Sequence, residues 1–165
     1  MTINPFIFRA YDIRGIAEAS PKHPVIDITK EAMHLLGLGI GTYIQKHFGK
    51  RIAVGGDNRL TTETLKKALI QGLIESGCDA EDIGLATSPL LYYAVCKFGY
   101  DGGVNITASH NPREYNGLKI VGRAGHSICG EEIQKIRRDI SEKNFSKGNG
   151  KISTKMIFPE YLDEM

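Results

Sequence analysis

Short apolar runs of strand length alternate along this chain with longer runs in which apolar residues recur every three or four positions. Residues 51–55 and 103–107 are short and apolar, whereas the apolar side chains between residues 28 and 48 follow the period of an α-helix. Because helices that alternate with buried strands pack on the faces of a sheet, this order predicts an α/β domain built in layers.

The remaining segments predict further strands, helices and turns. Serine and threonine favour helix starts, proline suits the first helical position, and glycine favours helix ends and tight turns. The expected elements are an extended segment at 6–12, a helix capped by Thr61 or Thr62, a strand at 79–83, a helix started by Ser88 and Pro89 and ended by Gly99, a tight turn at Asn116 and Gly117, a strand at 118–121, a helix containing Ile133, Ile136 and Ile140, and a loop at 141–155.

Glycines at Gly37, Gly39 and Gly41 suggest a nucleotide-binding loop at first sight. They lie inside the helical segment, however, and lack the G-x-G-x-x-G spacing of such loops. Gly37 and Gly41 are four residues apart and therefore share one helix face. We interpret them as small residues that allow another element to pack closely.

Length and composition limit the class of protein. A chain of 165 residues with 41% hydrophobic and 24% charged residues suits one globular domain and excludes a disordered chain. The net charge of +2 gives no indication of nucleic acid or a membrane surface as a partner. No apolar run reaches the ~20 residues of a membrane-spanning helix, and the first residues do not resemble a secretory signal. Three cysteines without a C-x-x-C pair predict free thiols, and these features together predict a cytoplasmic protein.

Residues 107–112, Thr-Ala-Ser-His-Asn-Pro, follow an expected strand and form the most informative local motif. Ser109 is expected at the rim of the sheet, where a substrate can reach it. The neighbouring His110 suggests a hydrolase, but adjacent side chains are poorly placed for a serine–histidine relay, and no G-x-S-x-G motif is present. The residue types alone leave open a turn whose polar groups satisfy one another.

Several cations could gather around Ser109. Lys119 lies ten positions further on, and Arg14 and Arg59 come from other loops. Together with His110, these groups would suit a phosphate ester on the serine, because such an ester carries nearly two negative charges and three acceptor oxygens. A solvated surface charge is the alternative for each cation taken alone.

An Asp-x-Arg spacing occurs twice, at Asp12 with Arg14 and at Asp57 with Arg59. We interpret each aspartate as holding its arginine toward a shared anion. The alternative is a pair of surface ion pairs, each worth about 0–1 kcal/mol.

Several ordered motifs together resemble the α-D-phosphohexomutase family. They are Phe-Arg-Ala-Tyr-Asp-Ile-Arg-Gly at 8–15, Gly-Asp-Asn-Arg at 56–59, Gln-Gly-Leu at 71–73, Ser-Pro-Leu-Leu-Tyr-Tyr-Ala at 88–94, Thr-Ala-Ser-His-Asn-Pro at 107–112 and Glu-Tyr-Asn-Gly-Leu-Lys-Ile at 114–120.

The resemblance implies a fold and a reaction. The fold is a layered mixed β-sheet with helices packed on its faces, of the type of domain I of the family. In the family, the serine that matches Ser109 carries a phosphate and transfers it to a hexose 1- or 6-phosphate, giving a 1,6-bisphosphate intermediate. The sugar reorients and its other phosphate returns to the serine, so that hexose 1-phosphate and hexose 6-phosphate interconvert. Glucose 1,6-bisphosphate is the implied activator.

The resemblance also implies roles for individual residues. The implied catalytic residues are Ser109, His110 and Lys119, of which Lys119 is the candidate for proton transfer at the sugar hydroxyl. Mg²⁺ is the implied cofactor, with an oxygen of phosphorylated Ser109 as one ligand. The implied substrate-binding residues are Tyr11, Arg14 and Lys119, and the residues implied to support the phosphoserine are Arg14, Asp57, Arg59 and Asn111.

Family members have four domains, and the resemblance places residues 1–150 in the first. We expect residues 151–165 to begin the linker to a second domain that is missing here. The Asp-Gly-Asp-x-Asp-Arg loop that supplies the other metal ligands in the family does not occur in this sequence. The expected partners are hexose phosphates and the remaining domains of the same enzyme, and the isolated domain is expected to be inactive. The alternative is a standalone phosphosugar-binding or regulatory module without catalysis.

Overall fold

Six strands form one mixed sheet in the computed structural model, which describes residues 3–165. The strands are β1 (Ile13–Ile16), β2 (Arg51–Gly56), β3 (Asp79–Leu85), β4 (Gly102–Ile106), β5 (Tyr115–Gly122) and β6 (Ile152–Thr154). Their order across the sheet is β1-β5-β4-β2-β3-β6. The strands β4, β2, β3 and β6 run parallel, whereas β5 is antiparallel to both β4 and β1. The predicted α/β class and mixed sheet are confirmed.

Helices cover both faces of this sheet. They are α1 (Lys30–His47), α2 (Thr62–Glu75), α3 (Ser88–Lys97), α4 (Glu131–Ser141) and α5 (Phe158–Glu164). Helices α1, α2 and α4 share one apolar core with side chains from one sheet face. Helix α3 packs on the opposite face in a second core, and α5 lies beside it, with the rings of Tyr93 and Tyr161 5.1 Å apart. The domain therefore has three layers.

Close contact between α1 and α2 depends on two glycines. A Cβ on Gly37 would lie 2.3 Å from the carbonyl oxygen of Leu69 and 3.0 Å from the Cα of Gly72. A Cβ on Gly41 would lie 2.1 Å from the hydroxyl oxygen of Ser76. The interpretation of these glycines as packing residues is confirmed.

The N-terminal segment differs from its prediction. Residues 6–12 were expected to be extended, but Pro5–Ile7 form a 3₁₀ turn and β1 begins only at Ile13. The side-chain oxygen of Asn4 accepts a hydrogen bond from the backbone N–H of Phe6 at 3.0 Å, and Pro5 occupies the first position of the turn. This cap and the proline favour a turn over a strand.

Two predicted helix starts are confirmed, but the side-chain caps predicted for them are not. Helix α2 begins at Thr62, but no threonine side chain caps it, because the hydroxyls of Thr61 and Thr62 accept hydrogen bonds from the side chain of Asn116 at 2.9 and 3.0 Å. Helix α3 is capped by Thr87 rather than by Ser88. The predicted end of α3 at Gly99, which has a φ of +61°, is confirmed.

Asn116 and Gly117 do not form the predicted tight turn, because both lie inside β5. Asn116 is fully buried, and its amide is bound by the two threonine hydroxyls of α2. A Cβ on Gly117 would lie 2.0 Å from the carbonyl oxygen of Ile13, so this glycine allows β1 to pair closely with β5. A long-range contact thus explains both residues better than local turn chemistry does.

The C-terminal residues add to the same sheet. The loop expected at 141–155 contains β6, which pairs with β3, and α5 follows it. The assignment of residues 151–165 to a linker stays a prediction. Cys78, Cys96 and Cys129 are free thiols, as expected. Over residues 3–165, none of the helices has both the length and the apolar character needed to cross a bilayer.

Candidate functional site

A cleft of about 1250 Å³ opens where the parallel strands β2, β3 and β4 reach their carboxyl ends. This edge of an open α/β sheet is where ligands commonly bind. Its walls come from the loop between β4 and β5, which we call the serine loop (residues 107–114), from the start of α3, and from residues 154–161. Of the predicted site residues, those that line the cleft are Asp57, Arg59, Ser109, Asn111 and Lys119.

Ser109 is exposed in the serine loop and has an unusual backbone conformation. Its φ is +56°, in the left-handed region that costs a non-glycine residue about 1–2 kcal/mol. The backbone N–H of Ser109 donates to the hydroxyl of Thr107 at 2.9 Å, and the N–H of Asn111 donates to the carbonyl of Ala108 at 3.1 Å. The loop therefore holds the serine hydroxyl outward in a strained but hydrogen-bonded turn.

Arg59 holds this turn in place through every hydrogen-bond donor of its guanidinium group. Its Nε donates to a carboxylate oxygen of Asp57 at 3.1 Å. Its two terminal nitrogens donate, at distances between 2.7 and 3.1 Å, to four backbone carbonyl oxygens, those of Ser109, Asn111, Pro112 and Tyr115. A guanidinium has five N–H groups, so none remains for an anion. The expected contact with Asp57 is present, but the guanidinium faces the loop backbone instead of a shared anion.

Asp57 connects this arginine to helix α2. One of its carboxylate oxygens accepts from the backbone N–H of Arg59 at 3.1 Å and from the hydroxyl of Thr62 at 2.7 Å. Thr62 in turn accepts from the buried amide of Asn116 on β5. Local sequence patterns predicted a helix cap at Thr62 and a turn at Asn116 and did not predict these contacts, because the contacts join elements far apart in the chain.

Arg14 reaches the serine loop from β1. One terminal nitrogen donates to the side-chain oxygen of Asn111 at 3.0 Å, and the other pairs with Asp12. The Nε of Arg14 is buried and has no hydrogen-bond partner in residues 3–165. The structure thus brings Arg14, Asp12 and Asn111 together.

Tyr11, Arg14 and His110 lie outside the lining of the cleft. The side chain of Tyr11 is exposed on the surface. His110 is also exposed, with its Nδ1 3.4 Å from the hydroxyl oxygen of Ser109. A hydrolytic relay needs a carboxylate that orients the histidine, and none contacts His110 within residues 3–165. This geometry argues against the hydrolase interpretation.

Lys119 lies on β5 and faces the cleft. In the part of the chain that the structure describes, its ammonium group makes no hydrogen bond or ion pair. Arg14 and Arg59 are each paired with an aspartate. Lys119 is therefore a cation whose charge is free to act on a bound anion.

The described residues do not form a metal site by themselves. No group of three or more His, Cys, Asp or Glu side chains among residues 3–165 is arranged to hold a metal ion. The two aspartates of the site, Asp12 and Asp57, are engaged otherwise, since they bind Arg14 and Arg59. A Mg²⁺ ion bound to a phosphate on Ser109 would need further ligands from outside these residues.

Comparisons with known proteins place the chain in a family. Residues 5–147 match the family model described as phosphoglucomutase/phosphomannomutase, alpha/beta/alpha domain I. The chain is 38% identical over 164 residues to a phosphomannomutase/phosphoglucomutase of Pseudomonas aeruginosa, covering 99% of this chain and 34% of that protein. It is 36% identical over 162 residues to a phosphomannomutase of Klebsiella pneumoniae, covering 94% of this chain and 96% of that sequence.

A solved structure supports the same assignment. A phosphoglucomutase/phosphomannomutase family protein from Burkholderia thailandensis superposes with a TM-score of 0.88 at 29% sequence identity. The match covers 98% of this chain and 35% of that protein, so the chain spans about a third of the length of the Pseudomonas and Burkholderia proteins. The chain therefore belongs to the phosphoglucomutase/phosphomannomutase family and contains its domain I.

Proposed function

We propose that this chain is the phosphoserine-bearing domain of an enzyme that interconverts hexose 1-phosphate and hexose 6-phosphate, with Ser109 as the residue that carries the phosphate. One observation supports this most directly. Ser109 is exposed beside a large cleft, on a strained turn whose backbone is bound by all the donors of Arg59. Phosphoryl transfer depends mainly on alignment and charge stabilisation, so a fixed serine is what the reaction needs.

The proposed step exchanges one phosphate ester for another. The bond between phosphorus and the Ser109 oxygen breaks as a bond forms between phosphorus and a sugar hydroxyl oxygen. The hydroxyl proton passes to a base, for which Lys119, once it has given up its own proton, is our candidate because it lies in the cleft without a protein partner. The departing Ser109 oxygen takes up a proton and becomes a hydroxyl again. His110, 3.4 Å from the serine oxygen, is placed to orient that oxygen. The reverse step returns the other phosphate of the bisphosphate intermediate to Ser109.

Other residues have supporting roles in this proposal. Asp57 and Arg59 hold the serine loop, while Arg14 and Asn111 stabilise the phosphoserine from the β1 side. Tyr11 and Arg14 contact the sugar phosphate once the site is completed by residues beyond this chain. Those residues would also complete a Mg²⁺ site, for which the phosphate on Ser109 supplies one oxygen.

The proposal also covers the substrates, the activator and the location of the enzyme. The substrates are hexose phosphates, the activator is glucose 1,6-bisphosphate, and the enzyme acts in the cytoplasm. The chain alone has little or no mutase turnover, because the described residues lack a metal-binding cluster. Robust turnover by the purified chain would contradict this.

Intact-mass measurement tests the role of Ser109. The wild-type chain, Ser109→Ala and Ser88→Ala are incubated with glucose 1,6-bisphosphate and weighed by mass spectrometry. Ser88 also lines the cleft and serves as the matched control. We expect one phosphoryl group on the wild type and on Ser88→Ala, and none on Ser109→Ala. Equal uptake by Ser109→Ala would show that another residue carries the phosphate.

A second candidate function is a phosphosugar-binding or regulatory module without catalysis. The absence of a metal-binding cluster among residues 3–165 favours it over an independent enzyme. Such a module would bind glucose 6-phosphate, measured by calorimetry, with equal affinity in the wild type and in Ser109→Ala, and would take up no phosphate. Phosphate uptake at Ser109 would exclude it.

A further inference from the structure

Asn105 is a buried polar residue on β4 whose side chain has no evident structural role. Its exposed fraction is 1%, and its side-chain oxygen is buried without a hydrogen-bond partner in the described residues. Leaving such a group unpaired costs about 1–3 kcal/mol, whereas an apolar side chain of similar size would avoid this cost. An unpaired amide in a strand of this sheet therefore calls for a functional explanation.

The position of Asn105 is on the cleft side of the sheet. Val104 and Ile106, its neighbours in β4, point into the core beneath α1 and α2. Gly103, two residues earlier, faces α3, because a Cβ there would contact Leu91 and Val95. Successive residues of a strand alternate between faces, so Asn105 shares the α3 face, where the cleft opens.

Room for this side chain comes from Gly55, its partner on the neighbouring strand β2. A Cβ on Gly55 would lie 3.2 Å from the side-chain oxygen of Asn105 and 2.6 Å from the Cβ of Ala86. The amide therefore lies over the bare backbone of β2, at the floor of the cleft.

Lys119 is the cross-strand partner of Asn105 on the other side, in the register of β4 with β5. Directly opposed residues of an antiparallel pair have Cβ atoms about 4.5–5.5 Å apart and point to the same face. Both residues line the cleft. The two residues are thus cross-strand neighbours, one with an oxygen that lacks a donor and the other with an ammonium group that lacks an acceptor, although the oxygen lies against β2 and no hydrogen bond joins them in this structure.

We propose that Asn105 is a positioning residue for Lys119: rotation of its side chain turns the amide oxygen from β2 toward β5, where it accepts a hydrogen bond from the lysine ammonium and holds that group at the floor of the cleft, beside the serine loop. The inference rests on the role proposed above for Lys119. A four-carbon lysine stem loses considerable rotamer freedom when it is fixed, so an acceptor in place before the substrate arrives would lower the cost of aligning it.

Titration of Lys119 tests the contact without any turnover. The lysine side chains are reductively methylated with ¹³C-formaldehyde and titrated by NMR in four proteins: the wild type, Asn105→Leu, Asn105→Asp and Asn58→Leu. Asn58 also lines the cleft, so Asn58→Leu is the control. The signal of Lys119 is identified by its loss in Lys119→Arg. Apart from the proposed contact with Lys119, the side-chain oxygen of Asn105 has no hydrogen-bond partner in the described residues, so we expect Asn105→Leu to fold.

A hydrogen bond to the charged form of lysine raises its pKa, so the leucine variant should lower the Lys119 pKa by about half a unit or more. Asn105→Asp should raise it by at least as much, and Asn58→Leu should leave it unchanged. An identical Lys119 pKa in the wild type and in Asn105→Leu would overturn the proposal, as would an equal shift in Asn58→Leu.

The rate of phosphate uptake from glucose 1,6-bisphosphate separates this inference from the proposed function. Uptake runs the proposed step in reverse, so protonated Lys119 returns the proton to the departing sugar oxygen. With a lower Lys119 pKa, Asn105→Leu should take up phosphate about threefold more slowly on the alkaline side of the pH profile, since half a pKa unit is about a threefold change in ionisation. An unchanged rate and profile would overturn the positioning role. If the wild type takes up no phosphate, the proposed function fails, and the titration alone still decides whether Asn105 binds Lys119.

Discussion

Replacement of Arg59 by lysine isolates the effect of the guanidinium group on the serine loop. Lysine keeps the positive charge but has three donors on one nitrogen instead of five in a planar fork. The single ammonium cannot reach four carbonyl oxygens and Asp57 together, so at least two of these contacts are lost. At about 1–1.5 kcal/mol for each lost contact, Arg59→Lys should weaken the closed loop by about 2–3 kcal/mol.

Amide hydrogen exchange measures this change locally. The N–H groups of Asn111 and Tyr115 are hydrogen-bonded within the serine loop and at its end, to the carbonyls of Ala108 and Pro112. A loss of 2–3 kcal/mol corresponds to exchange about 30- to 150-fold faster at these two amides. The amide of Val104, in the buried strand β4, should exchange at its wild-type rate.

Arg113→Lys is the matched control in the same loop. The side chain of Arg113 is 72% exposed and pairs with Glu18, a surface contact worth about 0–1 kcal/mol. We expect less than about a fivefold change in loop exchange from this variant. Unchanged exchange at Asn111 and Tyr115 in Arg59→Lys, or equal acceleration by the two lysine variants, would refute the reasoning.

Three further predictions concern strain, packing and pH. Ser109→Gly should be about 1 kcal/mol more stable than Ser109→Ala in urea unfolding, because only glycine adopts a φ of +56° without strain. Gly37→Ala should destabilise the chain by about 1–3 kcal/mol, since the new Cβ would lie 2.3 Å from the carbonyl oxygen of Leu69. Burial acts to raise the pKa of Glu132, but hydrogen bonds, first among them that of the Tyr43 hydroxyl, lower it overall. The ionised carboxylate therefore stabilises the fold above its ordinary pKa of 4.5, and this stabilisation should vanish as the pH falls below that value and should be missing in Glu132→Gln.

Each of these predictions has an outcome that contradicts it. A Ser109→Ala variant as stable as Ser109→Gly would mean that the turn stores no strain. In an exposed helix, glycine to alanine stabilises by about 1 kcal/mol, so a gain in Gly37→Ala would show that α1 and α2 can separate freely. For Glu132, the control is Glu131→Gln on the same helix, and an equal loss of acid sensitivity in both variants would refute the assignment.

Local sequence patterns predicted much of the fold. Helices α1 and α4 and the strands β2 and β4 follow from the apolar pattern, because each buries a regular stripe or a continuous run. The errors fall where a distant partner outweighs a local preference. Asn116 lies in a strand, where the hydroxyls of Thr61 and Thr62 accept hydrogen bonds from its amide, and neither hydroxyl caps α2.

The candidate site was also predicted in part from local patterns, while its remaining features depend on contacts between distant residues. Motif spacing identified Ser109, Lys119 and the two Asp-x-Arg pairs, and both pairs are in contact. The direction in which Arg59 donates depends on the path of the serine loop backbone, which no pattern of side-chain types reveals. Asn105 was not predicted as a site residue, because a single asparagine in an apolar run does not indicate a function. Only the strand register shows that it lies opposite Lys119.

The antiparallel pairing of β4 with β5 has a consequence for how this site can change. Asn105, Ser109 and Lys119 all belong to one hairpin, so the proposed phosphate carrier lies in the loop that joins the two hydrogen-bonded strands, and the proposed proton acceptor lies on one of them. Lengthening the serine loop would move Ser109 relative to the sheet, yet Asn105 and Lys119 would stay opposite each other. The position of Ser109 and the alignment of Asn105 with Lys119 can therefore change independently. A mutation in the serine loop can move the serine without disturbing the two residues on the strands.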